Sequence, residues 1–94
     1  MATYIMFGKY SVEALKGISA ARTKKVADVI KKLGGKVEGM YVLLGKYDLV
    51  LTVDLPGTDA AMRASIELAK LTGIAFTTNA ALPVEQFDKM MFKK

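Results

Sequence analysis

The chain has 94 residues and contains neither His nor Cys. That removes imidazole bases, thiolate nucleophiles, Ser-His triads and the usual zinc and haem ligands. Carboxylate, Tyr, Lys, Arg and hydroxyl groups remain for chemistry. Five residues stand out as candidate ligand-binding groups: Asp48, Tyr41, Thr52, Arg22 and Thr78. Asp48 closes the run Gly45-Lys46-Tyr47-Asp48 and could hold a ligand ammonium or a partner's Lys. A carboxylate beside a turn is ordinarily solvated, so the structural role is preferred for it. Tyr41, Thr52 and Asp54, with Thr77, Thr78 or Asn79, offer hydroxyl, amide and carboxylate groups suited to a polar pocket, while Thr and Asn pairing across a sheet explains them equally well. Arg22 lies in line with the apolar Ile18 and Val26. There a guanidinium either snorkels to water or grips a carboxylate with its planar fork. No catalytic residue, metal site or cofactor is assigned.

The elements that must position these groups follow from periodicity. Thr3 to Tyr10 is an apolar and aromatic run of strand length. Ser11 can cap a helix whose stripe runs through Val12, Leu15, Ile18, Val26, Val29, Ile30 and Leu33, with Gly17 and Ser19 dividing it and Ser19 as a second cap. Gly34-Gly35 stops it. Lys36 to Leu44 and Tyr47 to Leu55 read as a hairpin joined by a two-residue turn at Gly45-Lys46. Thr58 or Asp59 caps a second helix with Ala60, Ala61, Met62, Ile66, Leu68 and Ala69 to bury, and Thr72-Gly73 ends it. Ile74 to Leu82 is a fourth strand. From Pro83 a tail or short helix repeats Val84, Phe87 and Met90 or Met91 at helical spacing, docks on the body and frays at its two terminal lysines.

The turn sets a register in which Val42 faces Leu49, Met40 faces Leu51 and Glu38 faces Val53 on one side. Tyr47 joins that apolar side. Leu43 with Asp48, Tyr41 with Val50, Gly39 with Thr52 and Val37 with Asp54 form a mixed second side. The order strand, helix, strand, strand, helix, strand predicts an α+β, ferredoxin-like βαββαβ fold with a four-stranded antiparallel sheet, as one domain over 1–94. Two helices cover one side of such a sheet. Leaving the other wet forgoes roughly 1.5 to 3 kcal/mol per large side chain, which predicts two copies packed sheet against sheet as a dimeric α+β barrel.

Composition agrees: apolar residues are 52% of the chain and mean hydropathy is +0.27, so either the core is large or another subunit covers apolar surface. The net charge of +5 favours anionic partners. Lys24, Lys25, Lys31, Lys32 and Lys36 read as a solvated helix face, with no aromatic platform to make them a nucleic-acid patch. Nucleic acid therefore ranks last among partners. No run approaches the roughly 18 apolar residues of a membrane span, and a soluble cytoplasmic protein is expected.

With Lys46 inserted after Gly45, the turn resembles the motif that names the GYD-domain family of small uncharacterised proteins. The similarity takes in Tyr4, Arg22, Gly34-Gly35-Lys36, Leu44-Gly45-x-Tyr47-Asp48-x-Val50, Ala60-Ala61, Gly73 and Thr77-Thr78. More remotely, Gly45 to Leu82 resembles the ligand-binding domain of the Lrp/AsnC regulators, which form dimeric ferredoxin-like barrels and bind amino acids at subunit interfaces. The resemblance implies a stand-alone sensing module: a homodimer, open to higher assembly, binding a small anionic or zwitterionic metabolite. The alternative is a cofactor-independent monooxygenase- or isomerase-like enzyme of the same barrel type, with Asp48, Asp54 or Tyr41 as its reactive group.

Overall fold

A computed structural model describes residues 1–92. The elements are β1 (Ala2–Tyr10), α1 (Val12–Lys16), α2 (Ala20–Lys32), β2 (Lys36–Val42), β3 (Leu49–Leu55), α3 (Thr58–Thr72), β4 (Ile74–Ala81) and α4 (Val84–Phe92). The strands form one antiparallel sheet in the order β2-β3-β1-β4. This is the α+β, ferredoxin-like arrangement.

The period of two along the central strands decides which side is dry. Tyr4 and Met6 on β1, and Leu51, Val53 and Leu55 on β3, point toward α2 and α3 and are buried with Val26, Ile30, Ala61, Ala64 and Leu68. Each large side chain among them contributes about 1.5 to 3 kcal/mol by leaving water. Both expected serine caps form: Ser11 Oγ accepts from the Ala14 amide at 2.9 Å and Ser19 Oγ from the Arg22 amide at 3.0 Å. Gly73 closes α3 in the left-handed conformation, φ +75°, which costs glycine little.

The hairpin pairs as expected from Val42–Leu49 through Gly39–Thr52, then shifts at a bulge. Beyond it Val37 pairs with Val53 and Lys36 with Asp54, in place of Glu38 with Val53 and Val37 with Asp54. The extra residue turns Val37 onto the core and leaves Glu38 on the open side, 3.7 Å from the Lys36 ammonium. The tight turn at Gly45-Lys46 does not form. The strands stop at Val42 and Leu49 and a six-residue loop, 43–48, joins them. Leu44 is fully exposed, and Tyr47 leaves the apolar side to lie against Phe7, ring centroids 5.1 Å apart. Stacking on Phe7 offers Tyr47 a contact that pairing with an exposed Leu44 does not.

Three further expectations are corrected. Gly57 is the N-cap of α3, with no side-chain cap bond from Thr58 or Asp59. Met62 and Ile66 face outward; Ala61, Ala64, Leu68 and Thr72 form the buried stripe, small residues that bring α3 close to the sheet. The tail does become a helix, α4, but it buries no residue and leaves Val84, Phe87, Met90 and Met91 exposed. Fraying of Lys93 and Lys94 lies outside the described residues.

At Gly35 a Cβ would collide with the Asp54 carbonyl oxygen and lie 2.6 Å from Leu55 Cδ2. Gly35→Ala must push β2 off β3 at its first pair. We expect a loss of about 2 kcal/mol or more, read as a fall in the urea unfolding midpoint at unchanged slope.

Candidate functional site

The sheet's open side presents Thr3, Ile5, Phe7 and Lys9 from β1, because Tyr4 and Met6 take the other side. Across it, Phe7 pairs with Val50 and Val50 with Tyr41, while Ile5 pairs with Thr52 and Thr52 with Gly39. Tyr41 is 66% exposed, and its ring lies over Gly39, whose missing side chain makes the room. Tyr41 and Thr52 thus share one surface. From β4, Asn79 joins it, its amide donating to the Ile5 carbonyl at 3.2 Å.

Asp48 sits at the end of that surface with its carboxylate already engaged. Oδ2 accepts from the Tyr10 amide at 2.8 Å, and the Lys9 ammonium lies 4.0 Å away. Its backbone amide donates to the Gly8 carbonyl at 2.9 Å and its carbonyl accepts from the Leu43 amide at 2.8 Å. Those bonds fasten the hairpin to the end of β1. Thr78 points the other way, under α3, where its hydroxyl and that of Ser65 share a 2.5 Å hydrogen bond.

Arg22 is also on the helix side. Its Nη1 donates to the Ala14 carbonyl at 2.6 Å, and the guanidinium stands 5.9 Å from the centroid of the Tyr10 ring. It borders a cavity of about 260 Å³ between α2 and the sheet, walled by Ile18, Val26, Met40, Leu49 and Ile74. Of the five candidates, then, Tyr41, Thr52 and Asp48 lie on one face, and Arg22 and Thr78 lie in separate places on the other.

Sequence reasoning missed two features. One is this cavity, which Tyr10 borders because it points to the same side of β1 as Tyr4 and Met6. The other is a carboxyl pair made by the bulge. Glu38 comes against Asp54, which also accepts from the Thr3 hydroxyl at 3.0 Å. The hydrogen bond shared with Asp54 holds Glu38 above its usual value of 4.5, against the pull of Lys36. The same bond, aided by Thr3 and by the Lys36 charge, holds Asp54 below 3.8.

An antiparallel sheet in the order β2-β3-β1-β4 with α2 and α3 packed on one face defines an α+β ferredoxin-like domain. The GYD-domain family model matches residues 4–91, and the chain belongs to that family. Among solved structures, it is similar to the Mycobacterium tuberculosis leucine response regulatory protein (LrpA), with a TM-score of 0.58 and 10% identity over 86% of this chain. The alignment takes in 50% of that regulator, so this chain spans half its length. A likeness at that identity concerns the fold. A comparison with curated protein sequences gives no match. Among the described residues no helix is long and apolar enough to cross a membrane.

The carboxyl pair sets a pH window. Asp54, depressed, contributes stability above its unfolded value that is lost as pH falls through its folded one. Glu38, raised, contributes stability below its unfolded value that is lost as pH rises through its folded one. The two contributions are present together only in the narrow range between the ordinary values of 3.8 and 4.5. Carboxyl carbon NMR should find Glu38 titrating above 4.5 and Asp54 below 3.8. Asp54→Asn should drop Glu38, leaving Lys36 to dominate.

Proposed function

We propose that residues 1–94 act as one cytoplasmic domain that pairs with a second copy through the open sheet face and binds a small anionic or zwitterionic metabolite without catalysing a reaction. The observation that carries the pairing is the row Phe7, Val50, Tyr41 across three strands, flanked by Ile5 and Tyr47. Among the described residues no helix covers it, and full burial of each such side chain is worth up to about 1.5 to 3 kcal/mol. The sensing role draws on the family membership, on the fold shared with a leucine response regulatory protein, and on the net charge of +5, which favours anions. Tyr41, Thr52 and Asp48 belong to the pairing surface in this reading, Thr78 supports α3, and Arg22 is the group that meets the ligand.

Sedimentation equilibrium over micromolar concentrations tests the pairing, with a dimer expected. Val50→Lys puts a charge at the centre of the row. It should weaken the dimer roughly 100-fold or more, because an unpaired charge is buried, while far-UV circular dichroism is unchanged. A wild-type monomer, or a Val50→Lys dimer of undiminished affinity, overturns it.

A further inference from the structure

We infer that the cavity beneath α2 is a binding site for a small monocarboxylate with an apolar tail, anchored by Arg22. This deepens the small-ligand part of the proposed function and does not depend on the dimer. The first ground is an unmatched charge. Arg22 is half-buried, and among the described residues no carboxylate lies within ion-pair distance of it. One of its five N–H groups is committed to the Ala14 carbonyl, and that bond holds the guanidinium in place. The remaining donors keep the planar fork that a carboxylate fills, and a preorganised fork loses little entropy on binding.

The second ground is the wall. Ile18, Val26, Met40, Val42, Leu49 and Ile74 give it an apolar surface, and the lining is completed on one side by Arg22 and the Tyr10 ring that its guanidinium stands beside. A volume of about 260 Å³ holds roughly eight non-hydrogen atoms at about 30 Å³ each. The third ground is an absence of acid in the lining: among the described residues Arg22 is the one charged group there, and the other polar side chains are hydroxyls of Tyr and of Ser and Thr. An ammonium inside would find no counter-charge and would face Arg22. The site therefore selects an acid with an uncharged tail over the amino acid of the same skeleton. Apart from Tyr41, the lining residues lie on the helix side of the sheet, away from the face proposed for pairing.

The test uses methyl-labelled full-length chain and three probes of one skeleton: isocaproate, isocaproamide and leucine. Isocaproate should shift the Ile18, Val26, Met40 and Leu49 methyl signals saturably. Isocaproamide and leucine should bind roughly tenfold or more weaker, the loss expected when a charge-assisted fork is unmade. Arg22→Gln should abolish the preference for acid over amide. Should that variant fail to fold, the probe comparison on the wild-type chain decides alone. Equal binding of acid and amide, tighter binding of leucine, shifts confined to Ile5 and Val50, or cavity signals that move with protein concentration and not with probe each overturn the site. The same titration on Val50→Lys separates the two readings: isocaproate binding there without a dimer upholds the site whatever becomes of the pairing.

Discussion

Four strands have two faces, and the long helices of this chain cover one of them. Met6, Leu51, Val53 and Leu55 are dry because Ile30 and Leu68 sit above them, while Phe7, Val50 and Tyr41, one residue away along the same strands, have no helix of their own. A pleated strand cannot shift this balance a residue at a time, since a slip by one would carry every core side chain to water. Either the second face is hydrophilic or something covers it. Its centre is aromatic and aliphatic and its margins are polar, with Thr3, Asp54 and Lys36 at one end and Lys9 and Asp48 at the other. A dry centre ringed by polar groups is how surfaces between subunits are organised.

The fold was legible because its evidence is periodic. Alternation along β1 and β3, caps at Ser11 and Ser19 and stops at Gly34 and Gly73 are local, and the sheet order follows once helices must lie on one side. Glu38 was illegible for the opposite reason. In Lys36-Val37-Glu38-Gly39 only the glycine hints at a bulge, and it does not say which residue is extra, since the gain comes from Val37 meeting Val53 after the strands have already paired. The cavity under α2 was equally hidden, since a void depends on how far two packed elements stand apart and no spacing of residue types encodes that.

The residues named by the family motif illustrate how a signature can be structural. Asp48 looked like the most chemical of them, yet its carboxylate caps the Tyr10 amide and its backbone pairs with Gly8 on one side and Leu43 on the other. A carboxylate accepting a backbone N–H in a half-buried place replaces the water that amide would otherwise need. Tyr47 stacks on Phe7 and Gly45 bends the loop, φ +147°. Tyr47 and Asp48 hold the β2–β3 hairpin against the end of β1 and Gly45 lets the loop turn, so what the motif specifies is the position of the hairpin.

That position matters to both sides of the sheet at once. Met40, Val42 and Leu49 line the cavity and Val50, interleaved with them, belongs to the open face, while Tyr41 borders both. The two surfaces lie back to back on one hairpin, a peptide unit apart. Any ligand that moves this hairpin when it enters the cavity must change the free energy of pairing on the far side, and pairing must change ligand affinity by the same factor. A ligand that leaves the hairpin where Asp48 fastens it would fill the cavity and alter nothing beyond it. Whether such a chain can act as a sensor therefore turns on the stiffness of one short connection, held by the Tyr10 amide, the Gly8 carbonyl and a single aspartate.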